Sequence, residues 1–338
     1  MTDGPPIGVF NQMWALTGVS DREAIATAIE DIRHAEAEDF ASVWIGEHHI
    51  PPGAPGAFHG RVPASEVFLG FLAAATHRIA VGTGVKILAS VSARRAAEEM
   101  AMLNLLAPGR IEFGLGMGTT LPGSKESREE KAARYRELLT AILDYLEFGH
   151  GENGAIFSLA PCPELLNKIW VAARDEPTLA FTARRGLNLV VGQAEPASQQ
   201  AHYIRRYRAE GGASEVRGAR LVFVAETRAE AEAESAVATE IYFQALGNKG
   251  YHAQAVAEGR LPPTAPTPAE RRRQLDFLVG DPNDVAALLN AYVDETGVTR
   301  LDVMAQIPGL ESDAVRRSLS LIRSEVRSRL RVPARAAA

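Results

Sequence analysis

The sequence predicts an α/β protein in which eight parallel strands close into one (β/α)8 barrel, the TIM-barrel fold. From residue 7 onward, short β-rich runs alternate with segments of helical periodicity, which is typical of repeated βα units and a parallel sheet. Eight such runs are present, and eight strands close a barrel, whereas an open doubly wound sheet usually stops at about five to seven. The whole chain, 1–338, is long enough for one such domain, which commonly has about 250 residues or more.

The predicted strands and helices follow one another in a regular order along the chain. The strands are short β-rich runs, and the helices repeat apolar residues at the spacing of one helical face. In order, strand 7–10 is followed by helix 21–38, strand 42–49 by helix 65–77, strand 78–88 by helix 92–106, strand 110–118 by helix 126–148, strand 168–173 by helix 175–186, strand 188–192 by helix 196–210, strand 220–226 by helices 227–246 and 281–297, and strand 300–306 by a closing helix 312–330.

Two insertions depart from the minimal barrel pattern, at 149–167 before the fifth strand and at 247–277 between the seventh and eighth strands. The second is long, rich in Gly, Pro and Ala, and placed where loops reach the catalytic face of a barrel. Long loops in compact domains often act as lids, so we predict a lid at 247–277, with a plain surface excursion as the alternative. The tail 331–338 is predicted to be disordered.

Composition excludes several classes of protein. Hydrophobic residues make up 46% and charged residues 23%, which suits a soluble protein with a large core. The single cysteine, Cys162, excludes an internal disulfide and multi-cysteine metal sites. A net charge of −6 without a concentrated basic face argues against nucleic-acid binding. The N-terminus lacks the pattern of a secretory signal and no apolar run approaches a membrane span, so we expect a cytoplasmic protein.

The stretch SVWIGEHH places Glu47, His48 and His49 at the end of a buried strand. In a barrel, residues just past the carboxyl ends of strands converge on one mouth, so these three are candidate catalytic residues. Neighbouring residues on a strand point to opposite faces, so the two histidines cannot easily bind one metal ion. Histidine titrates near neutral pH, which favours acid/base or ligand-orienting work; a structural hydrogen-bonding role is the alternative.

Two strands are rich in glycine, VGTGV at 81–85 and FGLGMG at 113–118. Neither forms the GxGxxG pattern that opens a helix, so a dinucleotide is not indicated. Glycine within a strand often marks a bulge or a place where a ligand lies against the backbone. Side by side, these strands predict the floor of a site for an aromatic cofactor, with close packing of helices as the alternative.

A further candidate follows the fifth strand, in AARDEPTLA. Arg174 precedes a predicted helix start, with Asp175 as the possible N-cap and Pro177 early in the helix. A helix N-terminus with an adjacent Arg and the Thr178 hydroxyl can bind phosphate, although capping alone would also explain these residues.

Taken together, these segments resemble the bacterial luciferase-like flavin monooxygenase family. SVWIGEHH is similar to the second strand of that family, and RIAVGTGVKILASVSARRAAEEMAMLNLLAPGRIEFGLGMG resembles its long unit from the third to the fourth strand. AQIPGLESDAVRRSLSLI is similar to its eighth strand and closing helix. The resemblance covers nearly the whole chain and implies the same barrel as the strand count.

The resemblance also implies roles for individual residues. His48 would support catalysis beside the flavin, with Glu47 and His49 as a polar shell around it. The Gly84–Val85 bond would be the non-prolyl cis peptide of the family, a bulge against the flavin ring. One departure concerns Met117, where many flavin-using members have Arg; Arg174 is the candidate substitute. The implied cofactor-binding residues are Thr83, Gly84, Val85, Gly116, Met117, Gly118, Arg174, Asp175 and Thr178.

The implied activity is that of an FMN-dependent monooxygenase. Reduced FMN would react with oxygen to give a C4a-peroxyflavin and oxygenate a small organic substrate, with a separate flavin reductase supplying the reduced cofactor. One alternative within the superfamily is an oxidoreductase that uses the deazaflavin coenzyme F420 for hydride transfer. A second alternative is a flavin-binding protein without catalysis. The resemblance further implies a homodimer that pairs through the helices predicted at 65–77 and 92–106.

Overall fold

The computed structural model describes residues 6–49, 57–118, 126–151, 154–246 and 250–331. Eight parallel strands form a closed barrel in the order β1, β3, β5, β6, β7, β8, β9, β11 and back to β1, which confirms the predicted fold class. The strands of the described residues are β1 Ile7–Asn11, β2 Trp14–Leu16, β3 Ser42–Ile45, β4 Phe58–Gly60, β5 Ala80–Ile87, β6 Ile111–Gly116, β7 Ile169–Ala172, β8 Asn188–Val190, β9 Val216–Val224, β10 Phe277–Gly280 and β11 Arg300–Met304.

Helices surround the barrel, and several begin at capping residues that the sequence supplies. Ser127, Thr227, Thr267 and Asp281 each accept a backbone hydrogen bond in a full capping box. None of the helices in the described part of the chain is long and apolar enough to cross a membrane. The helices are α1 Asp21–Ala37, α2 Ser65–Ala75, α3 Ala93–Leu106, α4 Arg128–Phe148, α5 Glu176–Arg184, α6 Ala197–Ala209, α7 Arg228–Glu234, α8 Ala236–Leu246, α9 Gly250–Ala257, α10 Pro268–Gln274, α11 Pro282–Thr296 and α12 Ser312–Leu321.

The structure corrects the predicted elements in several places. The helix predicted at 227–246 is two helices, α7 and α8, which meet at Ser235. The closing helix changes after Leu321 into one π-helical turn and one 3-10 turn. The insertion at 149–167 is bridged by an antiparallel pair between His150 and Ile156, and its last residues enter a 3-10 helix, Pro163–Lys168.

The segment 247–277 is more regular than a loop. It contains α9 and α10 and runs into β10, which pairs in parallel with the second half of β9. The capping box of α10, Thr267 to Glu270 with Pro268 at the first position, is a start signal that the Gly/Pro-rich composition conceals. Residues 247–249 lie outside the described residues, as does the predicted disordered tail from 332 onward. A lid function for this segment stays a prediction.

The floor of the barrel is a buried layer of charged and aromatic side chains near the amino ends of the strands. Arg217 of β9 donates to the Asp302 carboxylate of β11 over 2.7 Å, and both side chains are at most 4% exposed. The guanidinium also lies 3.6 Å from the Trp44 ring centroid. Trp170 adds its indole N–H, which donates to Glu112. Burial raises the pKa of Asp302 to about 6, and the charge of Arg217 opposes that rise. Breaking this pair would therefore leave a charge without a partner in the core.

We expect Asp302→Asn to lower the free energy of unfolding by about 3 to 5 kcal/mol, because the buried Arg217 guanidinium loses its carboxylate. Denaturant titration followed by circular dichroism measures this. The control is Glu210→Gln, which breaks the Arg184–Glu210 pair, whose Arg side chain is 71% exposed; that pair should contribute less than about 1 kcal/mol. Equal small losses in both variants would contradict a structural role for the buried pair.

Candidate active site

The strand predicted at 42–49 ends earlier, at Ile45, so Glu47, His48 and His49 lie just beyond β3 and not within it. Their side chains take different directions. Glu47 contacts the start of α2, whereas His48 bonds to Gln12, just beyond β1. His49 is the most open of the three, with 46% of its side chain exposed. The two imidazoles therefore have different hydrogen-bond partners, Gln12 for His48 and Glu47 for His49.

The Glu47 carboxylate is a buried junction between three elements. One oxygen accepts from the Ser65 hydroxyl at the start of α2 over 2.5 Å. The other accepts from the Ile87 backbone N–H of β5 over 3.2 Å and bonds the His49 ring over 3.1 Å. The carboxylate therefore fixes the end of β3 relative to α2 and β5. Glu47 therefore positions its neighbours, and its place in a polar shell around His48 stays a prediction.

His48 is held by a short hydrogen bond and by two close glycines. Its Nε2 lies 2.8 Å from Oε1 of Gln12, and its backbone N–H donates to Val62 O. A Cβ atom on Gly60 would meet the His48 ring at 2.1 Å, and one on Gly46 would meet Oε1 of Gln12 at 2.2 Å. Any side chain at these two positions would displace the pair. The two glycines therefore allow the imidazole and the amide to pack against the backbone.

The hydrogen bond to Gln12 defines the protonation of His48. An amide oxygen only accepts, so the proton of the ring lies on Nε2, and Nδ1 carries a lone pair. Burial lowers the pKa of His48 to about 4; a hydrogen bond with the Gln12 backbone opposes this shift and the nearby His49 adds to it. At neutral pH the ring is uncharged. His48 can therefore accept a proton or a hydrogen bond at Nδ1.

An aromatic wall stands beside His48. Trp14 of β2 lies 6.0 Å from the His48 ring and 4.8 Å from Phe58 of β4, centroid to centroid. Tyr242 of α8 stacks on Phe58 at 5.7 Å with the ring planes 2° apart. Burial raises the pKa of the Tyr242 phenol, whose hydroxyl lies near Gln193. The wall gives the mouth an apolar side, and a neutral phenol lies within it.

The predicted bulge lies between β5 and β6. The register of this pair shifts between Thr83 and Lys86, and the peptide bond Gly84–Val85 is cis, at the position the resemblance implied. Thr83 is buried, with its hydroxyl donating to Gly114 O over 2.8 Å, so it braces the two strands. Gly84 and Val85 are only half-buried, and Val85 packs with Trp14 and Phe58 against the barrel interior. The bulge and the aromatic wall thus belong to one mouth.

Gly116, the last residue of β6, is buried, and Met117 and Gly118 just beyond it are half-buried. Met117 lies in a small crevice that is also lined by Lys131 and Tyr135 of α4. Lys131 is only 5% exposed and donates to Gly118 O over 3.1 Å. A positive charge therefore lies beside Met117, although residue 117 itself is apolar.

Arg174 and Asp175 follow β7, and both are engaged by other residues. The Arg174 guanidinium pairs with the Glu195 carboxylate from the loop after β8, and Glu195 is 3% exposed. Asp175 is the N-cap of α5, as predicted, and accepts from both the backbone N–H and the hydroxyl of Thr178. The carboxylate of Asp175 also bonds Arg136 of α4 over 3.3 Å. For Arg174 to replace the arginine that many family members have at the position of Met117, a bound phosphate must compete with Glu195 for the Arg174 guanidinium.

Several residues of this mouth carry no signal in the sequence. Lys131 and Arg136 lie within the amphipathic pattern of α4, where basic residues usually cover a solvated face. Glu195 lies in a loop, Trp14 and Phe58 lie in short strands and Tyr242 lies in α8, and their approach to the mouth depends on the tertiary fold. Gln12 lies just past the first strand, which is a position where a polar side chain reaches the mouth of a barrel.

A parallel barrel with polar and aromatic side chains collected at the carboxyl ends of its strands is the arrangement found in TIM-barrel enzymes. The family model for luciferase-like monooxygenases matches residues 7–300. The chain belongs to this family, which confirms the resemblance drawn from the sequence motifs, and membership supports an oxidoreductase.

Known proteins with similar sequence or fold agree with this class. The N-acetyl-S-alkylcysteine monooxygenase of Bacillus subtilis is 25% identical over 240 residues, 67% of this chain and 70% of that protein. The oxygenating constituent of the Pseudomonas putida 3,6-diketocamphane monooxygenase, solved with FMN, has a TM-score of 0.77 at 18% identity and covers 97% of this chain and 99% of its own. An F420-dependent secondary alcohol dehydrogenase, solved with an F420–acetone adduct, has a TM-score of 0.71 at 14% identity with the same coverage. At these identities the two structures show a shared fold.

We expect His48 to titrate near pH 4, because burial disfavours the charged ring. NMR of labelled histidine, with His48→Gln for assignment, measures this pKa. In Gln12→Glu a carboxylate replaces the amide beside Nε2, which should bring the pKa of His48 back to the neutral range or above. A pKa near 6.5 in the unmodified protein would contradict the buried, neutral imidazole.

The lowered pKa of His48 also predicts how the free energy of unfolding depends on pH. An unfolded histidine takes up its proton near pH 6.5, whereas folded His48 does so only near pH 4. The unfolded state therefore binds more protons in this window, so this group's contribution to the free energy of unfolding falls by about 3 kcal/mol as pH drops from 6.5 to 4. His48→Gln should lose this part of the acid sensitivity in denaturant titrations at several pH values.

Proposed function

We propose that this protein is an FMN-dependent monooxygenase that uses reduced flavin and molecular oxygen to oxygenate a small organic substrate. The observation that carries the proposal is a neutral histidine, His48, at the same mouth as the half-open bulge at Gly84–Val85. A planar ring against that bulge would have backbone on one face, the aromatic wall nearby and an uncharged base within the mouth. Membership of the luciferase-like monooxygenase family supports the same activity.

The residues present fit a flavin mononucleotide. Gly84 and Val85 offer a flat, partly exposed stretch of backbone for the ring. Gly116 and Gly118 let the Val85 and Ile87 side chains of β5 pack against the end of β6, which would support the chain of the cofactor there. Arg136 of α4, which donates to the Thr178 hydroxyl at the start of α5, would approach its phosphate. Reduced FMN, when bound, would supply two electrons to oxygen, with one oxygen atom entering the substrate and the other leaving as water.

The protein residues would orient the reactants, exclude water and handle protons. Trp14, Phe58 and Tyr242 form an apolar wall that would keep water away from the reacting atoms. His48 Nδ1 would accept a proton from the substrate or hold it by a hydrogen bond, while Gln12 keeps the proton on Nε2. Glu47 and His49 would support this geometry. The segment 247–277 is proposed to cover the bound substrate.

A separate flavin reductase is the proposed source of reduced FMN. The mouth described here provides positions for one flavin and a base, and the reducing step would take place on another protein. The experiment below therefore supplies reduced FMN from a reductase and NADH.

We expect the protein, given reduced FMN and labelled oxygen, to transfer one labelled atom to a member of a panel of thioethers and ketones. Mass spectrometry of the products measures the transfer. His48→Ala should reduce product formation about 100-fold while the affinity for FMN changes only several-fold, because a positioned base contributes on that scale. His77→Ala, at an exposed position on the loop after α2, is the matched control.

Unchanged turnover in His48→Ala would overturn the role given to His48. Reduction of F420 by candidate alcohols, without uptake of oxygen, would instead establish the hydride-transfer alternative that the F420-dependent neighbour in fold suggests. Flavin binding without turnover of either kind would indicate the non-catalytic alternative.

We also propose that two copies of the chain pair through α2 and α3. Apolar side chains are exposed along both helices, which pack against each other: Val67 71%, Phe71 50%, Met102 48%, Leu105 62% and Leu106 61%. Several large apolar side chains exposed on two helices in contact with each other are typical of an interface.

We expect the double variant Phe71→Asp with Leu105→Asp to sediment as a monomer, because two buried charges would oppose association. Analytical ultracentrifugation gives the mass. Leu288→Asp, at an exposed apolar position of α11, is the control and should leave a dimer intact. A monomeric unmodified protein would overturn the pairing.

A further inference from the structure

Two buried polar atoms at the mouth, both close to Trp14, have no hydrogen-bond partner in the described part of the chain. They are the hydroxyl oxygen of Tyr242 in α8 and the Oε1 atom of Gln306, just past β11. Buried polar groups in folded proteins are nearly always hydrogen-bonded, because leaving such a group unpaired is costly. Two unpaired atoms at one mouth point to a ligand that supplies the missing partners.

The Tyr242 side chain is held firmly by its ring alone. It is 1% exposed, and its ring centroid lies 5.5 Å from that of Trp14 and 5.7 Å from that of Phe58. The Gln193 side chain lies near the phenol, yet no acceptor bonds the hydroxyl. Burial raises the pKa of this phenol, so it keeps its proton at neutral pH. Tyr242 therefore offers a hydrogen-bond donor.

Three other buried tyrosines show what Tyr242 lacks. The hydroxyl of Tyr135 donates to Leu115 O over 2.6 Å, and that of Tyr207 donates to Leu187 O over 2.8 Å. Tyr292 donates to Oε1 of Gln200 over 2.5 Å. A buried tyrosine hydroxyl usually finds such a partner, so the phenol of Tyr242 is an exception that calls for an explanation.

The Gln306 side chain offers the complementary group. Its Nε2 donates to the backbone carbonyl of Trp14 over 3.4 Å. Because a carbonyl oxygen only accepts, Nε2 must face Trp14, and Oε1 is the atom left without a partner. Gln306 therefore offers a hydrogen-bond acceptor beside the donor of Tyr242.

The surroundings of these two atoms favour an uncharged ligand. Trp14, Phe58 and Gln193 are uncharged residues, and His48 beside Trp14 is neutral because burial lowers its pKa. An ion placed against them would lose its hydration without gaining an opposite charge, which is costly in a protein interior. A neutral molecule with polar groups of its own would meet the donor and the acceptor at no such cost.

We infer that Tyr242 and Gln306 are specificity-determining residues of the substrate site and select a neutral molecule with both an oxygen acceptor and an N–H or O–H donor, as in an amide. The inference rests on the proposed function and adds the chemical class of the substrate. Tyr242 would donate to the acceptor of the substrate, and Gln306 would accept from its donor. Helix α8 ends at Leu246, just before the segment 247–277 that is proposed to cover the substrate.

The test uses three probes of similar shape. N-cyclohexylacetamide has a carbonyl and an N–H, cyclohexyl acetate has the carbonyl alone, and cyclohexyl ethyl ether has neither. Binding is measured by titration calorimetry under nitrogen with reduced FMN present. The unmodified protein should bind the amide most tightly and the ether least tightly.

We expect Tyr242→Phe to weaken binding of the amide and the ester about 10-fold and of the ether less than about twofold, because the bond to the carbonyl is lost. Gln306→Met should weaken binding of the amide about 10-fold and leave the ester, which has no N–H, within about twofold. The two variants thus remove different bonds to the same probe.

Tyr207→Phe is the matched control, since it removes the same atom from a buried tyrosine that has a partner. It should lower the midpoint of thermal unfolding and leave the affinities for the probes unchanged. Tyr242→Phe should not lower that midpoint, because the free protein loses no hydrogen bond.

Equal effects of Tyr242→Phe on all three probes, the absence of either predicted loss, or no preference of the unmodified protein for the amide would overturn the inference and leave the proposed function standing. Weaker binding of FMN by Tyr242→Phe would assign the phenol to the flavin, which also overturns it. Failure of the unmodified protein to bind reduced FMN would overturn the proposed function itself, whatever the probes show.

Discussion

The Glu47 carboxylate is the interaction on which the rest of the mouth depends. It accepts hydrogen bonds from the start of α2 and from the end of β5, so three elements that are separate in sequence meet at one buried group. Because side chains alternate along an extended chain, fixing Glu47 toward α2 turns His48 toward the interior. The imidazole then needs space and a partner, which Gly60 and Gln12 provide. A buried carboxylate with several donors is costly to disturb, which makes this geometry durable.

The barrel itself could be predicted from the sequence because each barrel strand is a local signal. Buried parallel strands are short apolar runs, and the helices between them have a clear period, so the count of eight required no tertiary information. The pair β2 and β4 could not be predicted, since each has only three residues and their pairing joins segments more than forty residues apart. The helices within 247–277 were concealed by Gly, Pro and Ala, which indicate loops in most contexts.

Some residues of the candidate site could likewise be predicted from the sequence and others could not. His48, the bulge at Gly84–Val85 and the N-cap Asp175 lie at strand ends or helix starts, where position along the chain determines position in the barrel. The positions of Lys131 and Glu195 depend instead on the rotation of α4 about its axis and on the path of the loop after β8. A lysine in the amphipathic pattern of α4 looks like any solvated lysine until Tyr135 fixes which face meets β6. The pairing of Arg174 with Glu195 likewise follows from a contact between two loops, which residue types alone do not reveal.

The buried layer formed by Arg217, Asp302, Trp44 and Trp170 limits how small molecules enter and leave the barrel. These side chains come from four strands and fill the barrel near the amino ends, so the interior has a floor. The barrel interior is therefore open only at the carboxyl ends of the strands. Any small molecule that reaches His48 must enter and leave past the same loops, and a bound flavin would narrow that passage for whatever follows it. In the proposed reaction, cofactor, oxygen and substrate would all use this one entrance, so the order in which they bind would affect turnover.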